Sequence, residues 1–314
     1  MAERSTSGIA RGQETAVRAA AAVAVTVVCW GSAFAGIRAG LRAYSPAHLA
    51  LLRYIVASLA LGAYAVATRM ALPRWRDVPG LALIGLVGIA FYNIALNYGE
   101  KTIPAGTASL LIASTPIWMA LLATVAFHER LRPAGWLGIG LSFLGATTIG
   151  LGTGSGLRMD PRALVVLAAA VAGSLYSLGQ KPYLARYSAL QCTAYAIWAG
   201  TLFLLPFGRG LLRQVAAAPL SATAAVAYLG IFPAAVGYLT WAYVLARVPA
   251  ARAGSFLYLV PAMAMLVAWL WLGEVPAALA LGGGVLVIAG VVLVNRWGRL
   301  GPPGDPTPPA PPDP

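Results

Sequence analysis

Long uncharged stretches alternate along the chain with short ones that carry nearly all of its charge. Nine of the uncharged stretches reach about the 20 residues that a helix needs to cross the hydrocarbon of a bilayer: 19–37, 79–99, 102–127, 133–157, 163–180, 187–208, 214–246, 253–273 and 275–295. A tenth, 43–68, is apolar apart from His48 and Arg53. It sets Arg53 near enough to one end for its side chain to reach toward the interface. Inside lipid every backbone polar group has to be paired within its own segment, and runs of this length suit helices rather than the roughly 10-residue alternating strands of barrels. The pattern predicts an all-α membrane protein of ten transmembrane helices, basket-like around a central cavity.

The polar punctuation also repeats. Residues 85–149 align without a gap on 230–294, matching Gly85 with Gly230, Tyr98 with Tyr243, Pro104-Ala105 with Pro249-Ala250, and Ala108 with Ala253. Pro116 then matches Pro261, Glu129 matches Glu274, Gly138 matches Gly283, and Gly145 matches Gly290. Matched alanines and glycines mean little in this composition, but prolines and lone acids in register define two five-helix halves, 19–157 and 158–297. Five is odd, so the second half enters from the opposite face, and Glu129 and Glu274 fall on opposite sides. Inverted halves can exchange roles and open one central site alternately to each side. Duplication can also build a stable bundle without transport, as in a channel or a membrane-embedded enzyme.

Composition sharpens this picture. Hydrophobic residues make up 60% of the 314 and charged residues 10%, with a mean hydropathy of +0.77, whereas soluble domains carry about a quarter charged residues. The net charge of +13 is scattered through the connections rather than gathered into a patch, which argues against nucleic acid. Fourteen of the 22 Lys and Arg residues fall on the side holding the N-terminus and seven on the other. Both termini are therefore expected in the cytoplasm, in a multi-pass protein of the cell inner membrane. A cytoplasmic tail over 1–18 and a proline-rich one over 298–314 complete the chain. Arg4, Arg11 and Arg18 before an apolar run resemble a secretory signal, but nine further runs favour a retained span.

The chemistry on offer is that of a permissive lining. All nine acids sit in tails, connections or helix ends, as Glu100, Glu129 and Glu274 do, so no buried carboxylate relay is expected, and facilitated diffusion or exchange fits better than proton coupling. Cys29 and Cys192 fall inside spans and read as small hydrophobes. His48 and His128 have no metal-site spacing or nucleophile partner, so no cofactor, metal or catalysis is expected. Polar and aromatic side chains do recur at one-face spacing: Trp30 with Phe34, Asn93 with Asn97, Tyr176 with Gln180, Tyr238 with Trp241, and Ser255 with Tyr258. With Tyr92 and Ser109 they are the candidate substrate-binding residues, able to meet ammonium, carboxylate and aromatic groups without a fixed buried charge. The same residue types also glue helices together and gather at membrane interfaces. Pro116 and Pro261, near mid-span, are candidate hinges or fixed kinks, and Arg53 a candidate gate.

Trp30-Gly31-Ser32-Ala33-Phe34, Pro46 and Leu52-Arg53-Tyr54 resemble the opening of EamA-type members of the drug/metabolite transporter superfamily. Ala108-Ser109-Leu110-Leu111, Thr115-Pro116 and His128-Glu129-Arg130-Leu131 resemble that family's fourth helix. Tyr258-Leu259-Val260-Pro261 and Leu272-Gly273-Glu274 resemble its ninth. The resemblance runs from about residue 19 to 297. It implies ten helices in two inverted repeats, cytoplasmic termini and export of amino acids, metabolites or drugs, with the aromatic amino-acid exporters the favoured branch.

Overall fold

Apolar runs that can satisfy their backbone only internally become helices, and the computed structural model, which describes residues 2–127, 132–151, 160–247 and 256–297, has no strand among them. In chain order the helices are α1 (Ala2–Gly40), α2 (Pro46–Ala67), α3 (Val78–Gly99), α4 (Ala105–Ile112), α5 (Thr115–Phe127) and α6 (Pro133–Leu151). They continue as α7 (Arg162–Leu184), α8 (Ala189–Leu204), α9 (Leu211–Ala217), α10 (Leu220–Leu245), α11 (Leu259–Leu272) and α12 (Ala278–Trp297). Six segments are long and apolar enough to cross a membrane: Val17–Gly40, α2, α3, α7, Ala189–Gly208 and α10. Four shorter apolar helical segments, Ala105–Met119, Pro133–Ile149, Leu259–Leu272 and Ala278–Val294, complete the set. Large apolar side chains such as Leu137, Leu144, Leu270 and Val285 point outward, a surface that suits lipid rather than water.

Several sequence expectations are corrected. Residues 2–18, before the first expected span, are helical and continuous with it in α1. The run 102–127 is two helices with a break at Ala113-Ser114, and the run 253–273 is helical in α11 only from Leu259. Pro116 is the second residue of α5 and Pro261 the third of α11. Each therefore stands in the first turn of its helix, where a missing N–H costs nothing, and directly after a break in the helical run. The run 214–246 is divided by Ala218-Pro219. Glu129 with its flanking His128, Arg130 and Leu131, the stretch holding Pro249, Ala250, Ala253 and Ser255, and the tail 298–314 lie outside the described residues.

α3 and α10 each contain a π-helical segment, Leu86–Phe91 and Gly230–Val236, at corresponding positions of the sequence repeat. α6 and α12 pack along most of their length. A Cβ on Gly138 would stand 2.5 Å from the Gly290 carbonyl oxygen, and one on Gly145 2.6 Å from that of Gly283. Backbones meet there, and the Ser142 hydroxyl donates across to the Val287 carbonyl at 3.0 Å, the close approach that small residues permit between membrane helices.

Candidate functional site

Where the broken helices meet the centre of the bundle, the structure forms a partly open cavity of about 90 Å3. Both breaks face it, through Ile112, Ala113, Thr115 and Pro116 on one side and Leu257, Tyr258, Val260 and Pro261 on the other. α1 contributes Trp30, Ala33, Phe34 and Ile37, a stripe at helical spacing, and α3 contributes Gly88, Tyr92 and Leu96 at four-residue steps. Ser109 of α4, Gly173, Tyr176 and Ser177 of α7, and Tyr238 of α10 close the wall.

The wall is aromatic. Trp30 meets Tyr238 edge-on with ring centroids 5.4 Å apart, and Tyr176 meets the other side of Tyr238 at 5.4 Å, nearly perpendicular, geometries that favour aromatic pairs. A glycine at 237 lets the Trp30 indole lie against α10, since a Cβ there would stand 2.8 Å from Nε1. The indole N–H donates to the Pro233 carbonyl in the π segment at 3.2 Å. Trp241 is buried behind Trp30, with centroids 5.5 Å apart, and does not line the cavity.

Arg53 faces the cavity instead of reaching toward an interface. Its Nη1 donates to Asn93 Oδ1 at 3.0 Å. The Asn93 amide donates in turn to the Tyr54 hydroxyl and the Ile89 carbonyl, both at 2.8 Å. Asn93 is thus a support for Arg53 rather than a wall residue. The side chain of Arg53 is 3% exposed, and no described carboxylate lies within ion-pair distance. Two buried polar atoms of the wall, Arg53 Nε and the Tyr176 hydroxyl, have no hydrogen-bond partner among the described residues. Asn97 and Gln180 are buried away from the cavity; Asn97 donates to the Pro46 carbonyl at 3.0 Å, and both Gln180 amide atoms lack described partners.

Ionic clusters sit at the two ends of α3, which its 22 residues separate by about 33 Å. At the N-cap, Asp77 accepts from Arg186 at 2.9 Å and from the Tyr187 hydroxyl at 2.6 Å. That hydrogen bond is the main reason the Tyr187 hydroxyl is held above the ordinary tyrosine range. At the C-cap, Arg38 pairs with Glu274 at 3.0 Å and donates to the Glu100 carbonyl at 2.6 Å, while Glu274 also accepts the Ala105 N–H at 2.9 Å. Glu100 stands at a helix end, as expected, yet it is buried. It is 0% exposed, and neither carboxyl oxygen has a described partner. Burial pushes this carboxyl well above the usual range, against the Arg38 charge and with the Glu274 charge. Sequence reasoning missed it because a helix-end acid is ordinarily solvated.

A model of the EamA-like transporter family matches the chain twice, over residues 17–151 and 161–296. A protein of Streptantibioticus cattleyicolor named a probable terminal-alkyne amino-acid exporter is 48% identical over 88% of this chain and 92% of its own. The Bacillus subtilis transporter YdfC is 42% identical over 86% and 90%. A probable amino-acid metabolite efflux pump of Salmonella typhimurium is 24% identical over 86% and 92%. One solved structure shares the fold, with a TM-score of 0.60 at 21% identity over 88% of this chain and 96% of that one. Taken with a bundle of apolar helices around a central cavity, these matches make the chain a multi-pass membrane transporter that belongs to the EamA-like transporter family.

Proposed function

We propose that the protein exports amino acids with aromatic or bulky apolar side chains by exposing its central cavity alternately to the two sides of the cell inner membrane. The observation that carries this reading is the pairing of a buried guanidinium with aromatic walls in one cavity. Arg53 suits a substrate carboxylate, the Tyr176 hydroxyl a second polar group, and Trp30, Phe34, Tyr92 and Tyr238 an apolar side chain. The names of the relatives from Streptantibioticus and Salmonella point to amino acids and their metabolites.

Two inverted five-helix halves, 19–157 and 158–297, carry the motion. The double match of the family model supports this arrangement. So do the π segments and helix breaks at corresponding positions and the reciprocal glycine contacts, in which 138 meets 290 while their repeat counterparts 283 and 145 also meet. Cytoplasmic termini follow from the fourteen-to-seven distribution of basic residues, and the inner-membrane name of the related Escherichia coli YedA agrees with the location.

The test is counterflow in proteoliposomes with labelled phenylalanine, tryptophan, threonine and propargylglycine. Saturable uptake accelerated by unlabelled substrate inside is expected. Flux without saturation would make the protein a channel, and silence with all four would overturn the substrate class.

A further inference from the structure

One face of α3 leads from the cavity to its C-terminal end. Gly88, Tyr92 and Leu96 line the cavity, and Glu100 is the next residue at the same four-residue spacing. Beyond it stands the Arg38–Glu274 ion pair, whose arginine also holds the Glu100 backbone carbonyl. Glu100 therefore lies between the cavity and the cluster at this end of the bundle. Its carboxyl group is fully buried, with no donor on either oxygen among the described residues. A carboxylate deprived of both water and donors favours its neutral, protonated form.

The surrounding charges are already engaged. Arg38 of α1 is held by Glu274, which follows α11, and Arg53 of α2 by Asn93. His48, also on α2, is turned to Gln214 and the Arg209 carbonyl. At the start of α7, Asp160 accepts from Thr102 and Arg162 lies over the Tyr98 ring. α4 presents only its Ala105 N–H, already given to Glu274. Lys101 is next in the chain, Arg42 at the end of α1 and Arg209 and Arg213 near α9 are the other described charges of this side, and Tyr92 lies one step back along the stripe.

We propose that Glu100 is the proton-carrying group of the transporter, making export proton-coupled rather than purely facilitated. With this end open, the carboxylate takes a proton from water on that side and becomes the neutral acid. It stops competing for the Arg38 guanidinium, which then pairs with Glu274 and closes the end. When the cavity opens to the opposite side, the acid returns its proton to water there as substrate enters. The restored carboxylate draws Arg38 away from Glu274, and this end opens again. Only an O–H bond forms and breaks, and one proton crosses against one substrate.

The proposal rests on the transport reading and is tested separately from it. Proteoliposomes holding a trapped pH-sensitive dye receive whichever of the four amino acids gives the largest counterflow. Entry of the amino acid with proton exit, seen as internal alkalinisation, is expected from the wild type. Glu100→Gln should cut the protons moved per amino acid at least tenfold, whereas Asp160→Asn should leave that ratio unchanged. Should Glu100→Gln fail to fold, Glu100→Asp should displace the pH dependence of the coupled flux. Net wild-type uptake into vesicles without internal amino acid that moves no protons, coupled flux that survives in Glu100→Gln, or an unmoved pH profile in Glu100→Asp would overturn the proposal. Absent counterflow in the wild type would instead sink the proposed substrate class.

Discussion

Arg53 is a charge kept almost wholly out of water and out of reach of every described carboxylate. Such a group costs several kcal/mol unless hydrogen bonds or a ligand offset it. Asn93 and the Tyr54 ring at 5.4 Å offset part, and a substrate carboxylate would supply the rest. A hydrogen bond to a charged group contributes about 1.5–3 kcal/mol, roughly a 10- to 150-fold preference. Tryptophan should therefore compete for labelled tryptophan far better than tryptamine, which lacks the carboxylate. Arg53→Gln should erase most of that preference while keeping a donor for Asn93, and Arg53→Lys should retain part of it. Unchanged discrimination in Arg53→Gln would move carboxylate recognition elsewhere. The sequence marked Arg53 as an odd charge in an apolar run, but α2 is apolar on every face, so nothing in its periodicity said which side the arginine takes. Glu100 was hidden for a related reason. The Arg38–Glu274 pair beside it is brought in from distant parts of the chain.

Helices α4, α5 and α11 show what periodicity reads well and what it does not. The apolar runs and the register of the two prolines were legible, because both depend only on residue type and spacing. The breaks were signalled only by those prolines, which disrupt the turn before them, because Ala113 and Leu257 are as apolar as the helices they interrupt. The π segments were invisible, since an extra backbone residue per turn leaves the run of apolar side chains intact. α12 allows a sharp test of close packing with two adjacent residues. A Cβ on Gly283 would stand 2.6 Å from the Gly145 carbonyl oxygen, whereas one on Gly282 would meet nothing within 4 Å. Gly283→Ala should lower stability by about 1–3 kcal/mol through overpacking, visible as a reduced Tm in detergent. Gly282→Ala should be neutral or gain up to about 1 kcal/mol from helix propensity. Equal Tm values for the two variants would mean that the helices do not touch at 283.

For the whole molecule, the decisive arrangement is one ionic cluster at each end of α3 with the cavity between them. Asp77 with Arg186 and Tyr187 ties the connection before α3 to that between α7 and α8, and Arg38 with Glu274 ties the end of α1 to the end of α11. Each cluster thus joins the first half of the chain to the second, so each opposes parting of the halves at its own end. Both pairs are partly exposed, with side-chain exposures of 52% and 10% for Arg186 and Asp77, and 27% and 22% for Arg38 and Glu274. Such pairs contribute about 0.2–1 kcal/mol after solvent screening, enough to shift an opening equilibrium up to about fivefold. A cysteine placed at Ala33 in the cavity wall, with Cys29 and Cys192 replaced by alanine, reports that shift through labelling by a membrane-impermeant maleimide. Glu274→Gln should speed labelling from the side opposite the termini, and Asp77→Asn from the side of the termini. Each effect should be about two- to fivefold and confined to its own side. Acceleration from the same side by both variants would mean that the clusters are not opposed gates, and rates unchanged by either would make both of them braces of a static bundle.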